Sequence, residues 1–198
     1  MDIKHSKQIK REKLLDQGVQ MLMEQGYHGT GLKEILDIVK IPKGSFYNYF
    51  GSKEKFAAEA VSHYIEPFIE RLNKHLQNPQ VDGLSALQNY YAELIIEVEK
   101  SGYKGGCLLG NLMGEIGDTS DICRQSLLST IERYSLLQQT ALLRAQQQGI
   151  VRLDQSAESM ADILFSSWQG ALLQMKIQQS IKPLQVCCDT LLGDYFKA

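Results

Sequence analysis

Two short apolar patterns lie between Leu32 and Phe50, with Pro42 standing between them. Proline cannot donate a backbone hydrogen bond and disfavours helical geometry in the residue before it, so one continuous helix is excluded. The first pattern, Leu32 to Val39, buries Ile35, Leu36 and Val39 on one side; the second fits a short helix from Gly44 to Phe50. Upstream, Leu14, Leu15, Val19, Leu22 and Met23 form an apolar stripe that stops at Gly26. Downstream, Ser52 is placed to cap a further helix running to about Gln77, which Pro67 should kink or interrupt and Asn78-Pro79 should end. Two short helices joined by a tight break, the second of them aromatic and basic, make a helix-turn-helix.

The second short helix carries two kinds of side chain. Phe46 and Phe50 are four residues apart and suit the face that anchors it. Tyr47 and Tyr49 can donate phenol hydroxyls to phosphates, and Ser45 and Asn48 are short enough to reach base edges. Gly44 allows close approach of the backbone, while Lys43 and Lys53 can neutralise phosphates on either side. Charge supports this division. Residues 1–55 hold ten Lys/Arg against seven Asp/Glu, whereas the remainder holds eleven against sixteen, so a basic head precedes an acidic body.

Helical periodicity resumes beyond Asp82-Gly83, at about Leu84–Lys100, Gly105–Ile116, Asp121–Gln148, Ala157–Gln179 and Pro183–Phe196, with Gly149 as a C-cap. No β-alternation, internal repeat or low-complexity stretch interrupts this pattern. The fold class is all-α: a three-helix head over residues 1–55 and a larger helical body over 56–198. The amino-terminal stretch has no apolar signal region and the longest apolar runs fall short of a membrane span, so a cytoplasmic protein with no membrane partner is expected. Cys107, Cys123, Cys187 and Cys188 show no zinc-ligand spacing, and His5, His28, His63 and His75 are scattered; neither metal nor cofactor is expected.

The run Tyr27–Phe56, "YHGTGLKEILDIVKIPKGSFYNYFGSKEKF", resembles the DNA-binding head of the TetR family of bacterial regulators. Thr30 stands where that family commonly has threonine before its second helix. Ile35, Val39 and Ile41 match buried positions, and Gly44, Tyr47, Phe50, Lys53 and Glu54 match the most specific ones. Three positions depart from the pattern. Gly31 replaces the usual Ser or Thr cap, with Glu34 keeping the capping-box acid; Pro42 replaces Ser; Tyr49 replaces His. The resemblance implies a homodimer that binds double-stranded operator DNA through Thr30, Gly31, Lys43, Gly44, Ser45, Tyr47, Asn48, Tyr49 and Lys53, with a ligand-binding body.

A narrower resemblance joins "GGCLLGNLMGEIGD", from Gly105, and "WQGALLQMKIQQSIKPL", from Trp168, to the TetR subgroup of N-ethylmaleimide-responsive repressors. Gly106, Cys107, Leu108, Gly170, Lys176 and Pro183 carry it. It implies an electrophile or other small-molecule inducer. Two readings of Cys107 stay open. A free cysteine is ordinarily a small buried hydrophobe, but this one follows two glycines near a helix start, where the dipole favours thiolate. Lys176 is either a lysine reaching out from a rim or one pointing into the body towards Cys107. Trp168, Tyr90, Tyr91, Met113 and Met175 are candidates for lining a pocket. Ile163, Leu173, Ile177, Leu184, Leu191 and Leu192 are candidates for a dimer interface.

The leading function is therefore a dimeric repressor released by a reactive or organic inducer. The alternatives are a non-covalent sensor with inert cysteines, a helical enzyme, and a structural adaptor. The sequence shows no paired His-carboxylate motif, phosphate loop or nucleophile elbow, so the enzyme is disfavoured. An adaptor leaves the segment from Lys43 to Lys53 unexplained.

Overall fold

The computed structural model describes residues 3–198, and the described residues are helical almost throughout. The helices are α1 (Ile3–Gly29), α2 (Leu32–Val39), α3 (Lys43–Phe50), α4 (Lys53–Leu76), α5 (Gly83–Lys100), α6 (Leu108–Ile116), α7 (Asp121–Gln147), α8 (Ala157–Gln178) and α9 (Lys182–Thr190). A π-helical turn, Leu191–Tyr195, extends α9. The all-α class is as expected, and α2 and α3 fall where the break at Pro42 places them. The one β-type pairing among the described residues is an isolated bridge between Val151 and Lys197.

Three boundaries differ from the sequence expectation. Pro67 does not interrupt α4, which runs through it. The helix expected from Gly105 begins at Leu108, because Gly105 and Gly106 have φ of 82° and 80° and cannot belong to a right-handed helix. The last expected helix divides at Leu191, where the π-helical turn takes over.

The chain forms two compact units, 1–66 with 107–130, and 67–106 with 131–198. This partition does not follow residue 55: α4 and α7 each contribute to both units, and α6 belongs with the helix-turn-helix. In the first unit Leu14, Leu22, Ile35, Phe46, Phe56, Leu108 and Leu112 are buried. Gly18 lets α1 approach the Phe56 ring so closely that a Cβ there would lie 2.2 Å from its Cζ. Ser126 Oγ donates to the Ala58 carbonyl at 2.6 Å, and Ser120 Oγ donates to the Glu54 carboxylate at 2.8 Å, which ties the start of α7 to α4.

The second unit packs α5, α8 and α9 with the remaining halves of α4 and α7. Asp82 caps α5 by accepting from the Ser85 amide at 2.9 Å. Gly83 then meets α7 closely, since a Cβ there would stand 1.8 Å from the Ala141 carbonyl oxygen. Arg144 donates to the carbonyls of Leu76 and Val81 and so holds the α4–α5 connection. The segment after the π-helical turn pairs with the α7–α8 connection, where the Arg152 amide donates to Phe196 O and the Ala198 amide to Ile150 O, each at 3.0 Å. One face of α8 is buried through Met160, Leu164, Trp168, Leu172 and Met175. Its other face is not: Leu173 is 52% exposed and Ile177 85%.

Candidate nucleic-acid interface and sensor site

Pro42 precedes α3 with φ −61° and ψ 142°, and Ser45 N–H donates to its carbonyl at 2.9 Å. Phe46 and Phe50 turn inward and meet Phe56, with ring centroids 4.9–5.1 Å apart in all three pairs. The Arg11 guanidinium covers the Phe50 ring from α1 at 5.3 Å and pairs with Glu59. With one face fixed by three rings, helical geometry sends Lys43, Gly44, Tyr47 and Asn48 outward together, and all four are exposed. Ser45 and Tyr49 flank them, half-buried. Lys43 Nζ lies 5.9 Å from the Tyr47 ring centroid. No atom lies within 4 Å of a Cβ built on Gly44, so packing does not demand glycine there and an approaching surface meets bare backbone.

Two of the nine expected DNA-binding residues face the other way, and a third needs qualification. Thr30 is 1% exposed, and its hydroxyl donates to Gly26 O at 2.6 Å. Lys53 turns its ammonium inward to donate to Tyr27 O at 2.6 Å, 4.4 Å from the centre of the Tyr27 ring. Burial lowers the Lys53 pKa, opposed by the nearby Glu115 carboxylate. Gly31 is exposed and precedes α2 in extended geometry, without a side-chain cap.

Sequence reasoning missed Glu115. Its carboxylate accepts from the backbone amides of Tyr27 at 2.6 Å and His28 at 2.7 Å. The residues lie 87 and 88 positions apart, and nothing local in either segment announces the pairing.

In the first unit, Cys107 is half-buried and stands at the N-cap of α6 with φ −120° and ψ 128°. Its three counterparts have raised pKa values. Burial raises Cys123, against the Ser120 hydroxyl hydrogen bond that lowers it. Burial likewise raises Cys187 to about 11 and Cys188 to about 12. Met113 is exposed on α6.

Within the second unit, Lys176 reaches Gly106, where a Cβ would lie 3.2 Å from its Cδ and 3.6 Å from its Nζ. Lys176 is thus half-buried against a turn whose positive φ favours glycine. Tyr91 and Trp168 are core residues there, their ring centroids 4.7 Å apart. Tyr134 OH donates to Tyr90 OH at 2.9 Å and Gln138 Nε2 to Tyr91 OH at 2.7 Å, a fully buried polar cluster. Among the described residues no group of three or more His, Cys, Asp or Glu is placed to hold a metal ion. Among the described residues no helix is long and apolar enough to cross a membrane.

Residues 14–60 match the family described as bacterial regulatory proteins, tetR family, and residues 83–191 match the tetracyclin repressor-like C-terminal domain. The chain belongs to the TetR family. It is 34% identical over 174 residues to the HTH-type transcriptional repressor DhaR of Mycobacterium sp. (strain GP1), covering 88% of this chain and 86% of that one. It is 31% identical over 182 residues to the repressor NemR of Escherichia coli (strain K12), covering 92% of both. The crystal structure of reduced E. coli NemR superposes with a TM-score of 0.86 at 29% identity, over 96% of this chain and 97% of that one. A TetR regulatory protein from Rhodobacter sphaeroides superposes with a TM-score of 0.84 at 28% identity, over 91% and 96%. The protein is a TetR-family transcriptional repressor, not an enzyme.

Proposed function

We propose that the protein binds operator DNA as a homodimer through the outward face of α3, and that a small electrophile or oxidant releases it by reacting at Cys107. The observation that carries the first half is the sorting of α3 into a ring-packed inner face and an exposed face of Lys43, Gly44, Tyr47 and Asn48. Lys43 and Tyr47 contact phosphates, and Asn48 reads a base edge in the major groove. Two such helices must reach half-sites about 34–36 Å apart or a multiple of it, so a modest change in their separation ends binding.

Cys107 is favoured as the reactive thiol because it stands half-buried at the N-cap of α6, whereas burial raises the pKa of the other three. The similarity to NemR, a structure of which is described as the reduced form, agrees with thiol chemistry. The first carbon or oxygen added to Cys107 Sγ would enlarge the residue that opens α6.

A second reading is favoured by the buried cluster of Tyr90, Tyr91, Tyr134 and Gln138, in which Gln138 Oε1 has no hydrogen-bond partner. A small organic ligand with one donor group would satisfy it, with no covalent step. One experiment separates the two. Operator release by N-ethylmaleimide and by a hypohalous oxidant is followed by gel shift in the parent and in Cys107→Ser. The covalent reading expects Cys107→Ser to bind operator and to stop responding. Release equal to the parent's makes Cys107 a packing residue and leaves the non-covalent reading.

A further inference from the structure

The helix α1 does not end smoothly. Gly26 breaks it with φ 73° and ψ −179°, and a single turn then runs from Tyr27 to Gly29 before Gly31 opens α2. Thr30 closes this turn by donating both its amide, at 3.2 Å, and its hydroxyl, at 2.6 Å, to Gly26 O. The start of the turn is the difficulty. After a break, the first amides of a helical turn have no acceptor in their own helix. The Tyr27 and His28 amides find theirs on α6, one on each oxygen of the Glu115 carboxylate. Charged acceptors make the stronger hydrogen bonds, and a negative group at the amino end of a helical turn is further favoured by its dipole.

Two other residues are shaped around this contact. A Cβ on Gly26 would stand 2.6 Å from Glu115 Oε2 and would push the carboxylate aside, in addition to straining the backbone at its positive φ. Lys53 donates to the carbonyl of the same Tyr27 whose amide Glu115 holds. Lys53 opens α4, two residues after the C-cap of α3. The turn 27–29 is therefore held from one side by α6 and from the other by the start of α4, and it leads directly into α2 and α3.

We propose that Glu115 is a positioning residue for operator binding: α6 latches the Tyr27–Gly29 turn, and displacement of α6 frees that turn and with it the helix-turn-helix. Cys107 and Glu115 occupy the N-cap and the eighth residue of one nine-residue helix, about 12 Å apart along its axis. The latch rests on the reading that Cys107 is the switch only for what drives α6; its role in binding does not.

The test uses full-length Glu115→Ala, Glu115→Gln and Gly26→Ala, each first shown to be folded by circular dichroism and thermal melting. Glu115→Ala is expected to weaken operator affinity about tenfold or more, within the range usual for coupled sites. Glu115→Gln, which keeps one acceptor oxygen, should recover part of it, and Gly26→Ala should behave like Glu115→Ala. Hydrogen exchange of the Tyr27 and His28 amides supplies a readout that general destabilisation would not move selectively. These two amides should lose protection in Glu115→Ala while those of α5 keep it. N-ethylmaleimide treatment of the parent should deprotect the same two amides, and treated Cys107→Ser should not. Parent affinity with parent exchange in Glu115→Ala overturns the latch, whatever Cys107 does. Loss of affinity in Glu115→Ala beside a full response in Cys107→Ser keeps the latch and rejects the thiol switch.

Discussion

Tyr47 and Asn48 are adjacent on α3 and both exposed, yet they should fail differently when removed. Tyr47→Ala should lose the proposed phosphate contact and weaken all operators alike. Asn48→Ala should cost about 1–3 kcal/mol at one base pair and relax preference there. Competition gel shifts with single-base operator variants check this, and two folded variants binding as tightly as the parent would remove α3 as the recognition helix. Lys43→Ala should lower the slope of log affinity against log salt by about 1. Lys53→Ala should lower it little and reduce thermal stability instead, since its ammonium is spent on Tyr27. The cysteines divide by the same kind of local physics. With Cys187 raised to about 11 and Cys188 to about 12, both are neutral at pH 7 and gain thiolate only as pH climbs towards those values. Mass spectrometry after brief N-ethylmaleimide exposure should therefore find Cys107 labelled first at pH 7, with adducts at the other two rising in alkali.

At the scale of the element, the start of α5 shows what a helix end needs. Burial raises the Asp82 pKa, but hydrogen bonds from the hydroxyl and amide of Ser85, together with the Leu84 and Asp82 amides, more than offset this and leave it lowered. A depressed carboxylate stabilises the fold above its unfolded pKa, and that contribution is lost as pH falls through the folded value. Asp82→Ala should cost about 1 kcal/mol at pH 7, with the difference from the parent shrinking below about pH 4 in urea melts. Gly83→Ala, one residue on, should be worse, because its Cβ has no room beside the Ala141 carbonyl. The expected start of α6 at Gly105 went astray for a related reason. Hydrophobic period carries no sign for φ, and glycine is equally at home in the left-handed region that Gly105 and Gly106 occupy.

For the whole molecule, the six residues expected at a dimer interface separate into two groups. Leu184 and Leu192 are fully buried within the chain and Leu191 is half-buried, so they hold α9 in place. Ile163, Leu173 and Ile177 project from α8, and Val186 projects from α9, as exposed apolar side chains, the kind of surface that a second copy would cover. Leu173→Glu with Ile177→Glu should therefore leave a folded chain that sediments as a monomer at micromolar concentration and binds operator poorly. Dimers and parent affinity in that variant would put the interface elsewhere. Removing residues from Pro183 onward is a test of folding instead, because it takes Leu184, Leu192 and Phe196 out of the core.

What the sequence determined by itself was whatever is encoded within a few residues. The break at Pro42, the anchoring pair Phe46 and Phe50, the cap at Ser52 and the outward set Lys43, Tyr47 and Asn48 follow from backbone chemistry and the 3.6-residue period. The partnership of segment 107–130 with the head did not, nor did the inward turn of Lys53 or the capping of Tyr27 and His28 by Glu115. Hydrogen bonds such as Ser120 to Glu54, 66 residues apart, join groups that are ordinary in their own neighbourhoods. A lysine beside a recognition helix reads as a phosphate contact, and a glutamate on an exposed-looking helix face reads as a solvated charge. Only the packing of α6 against the end of α1 brings an acceptor to two amides that have none of their own, and that juxtaposition exists solely in the folded chain.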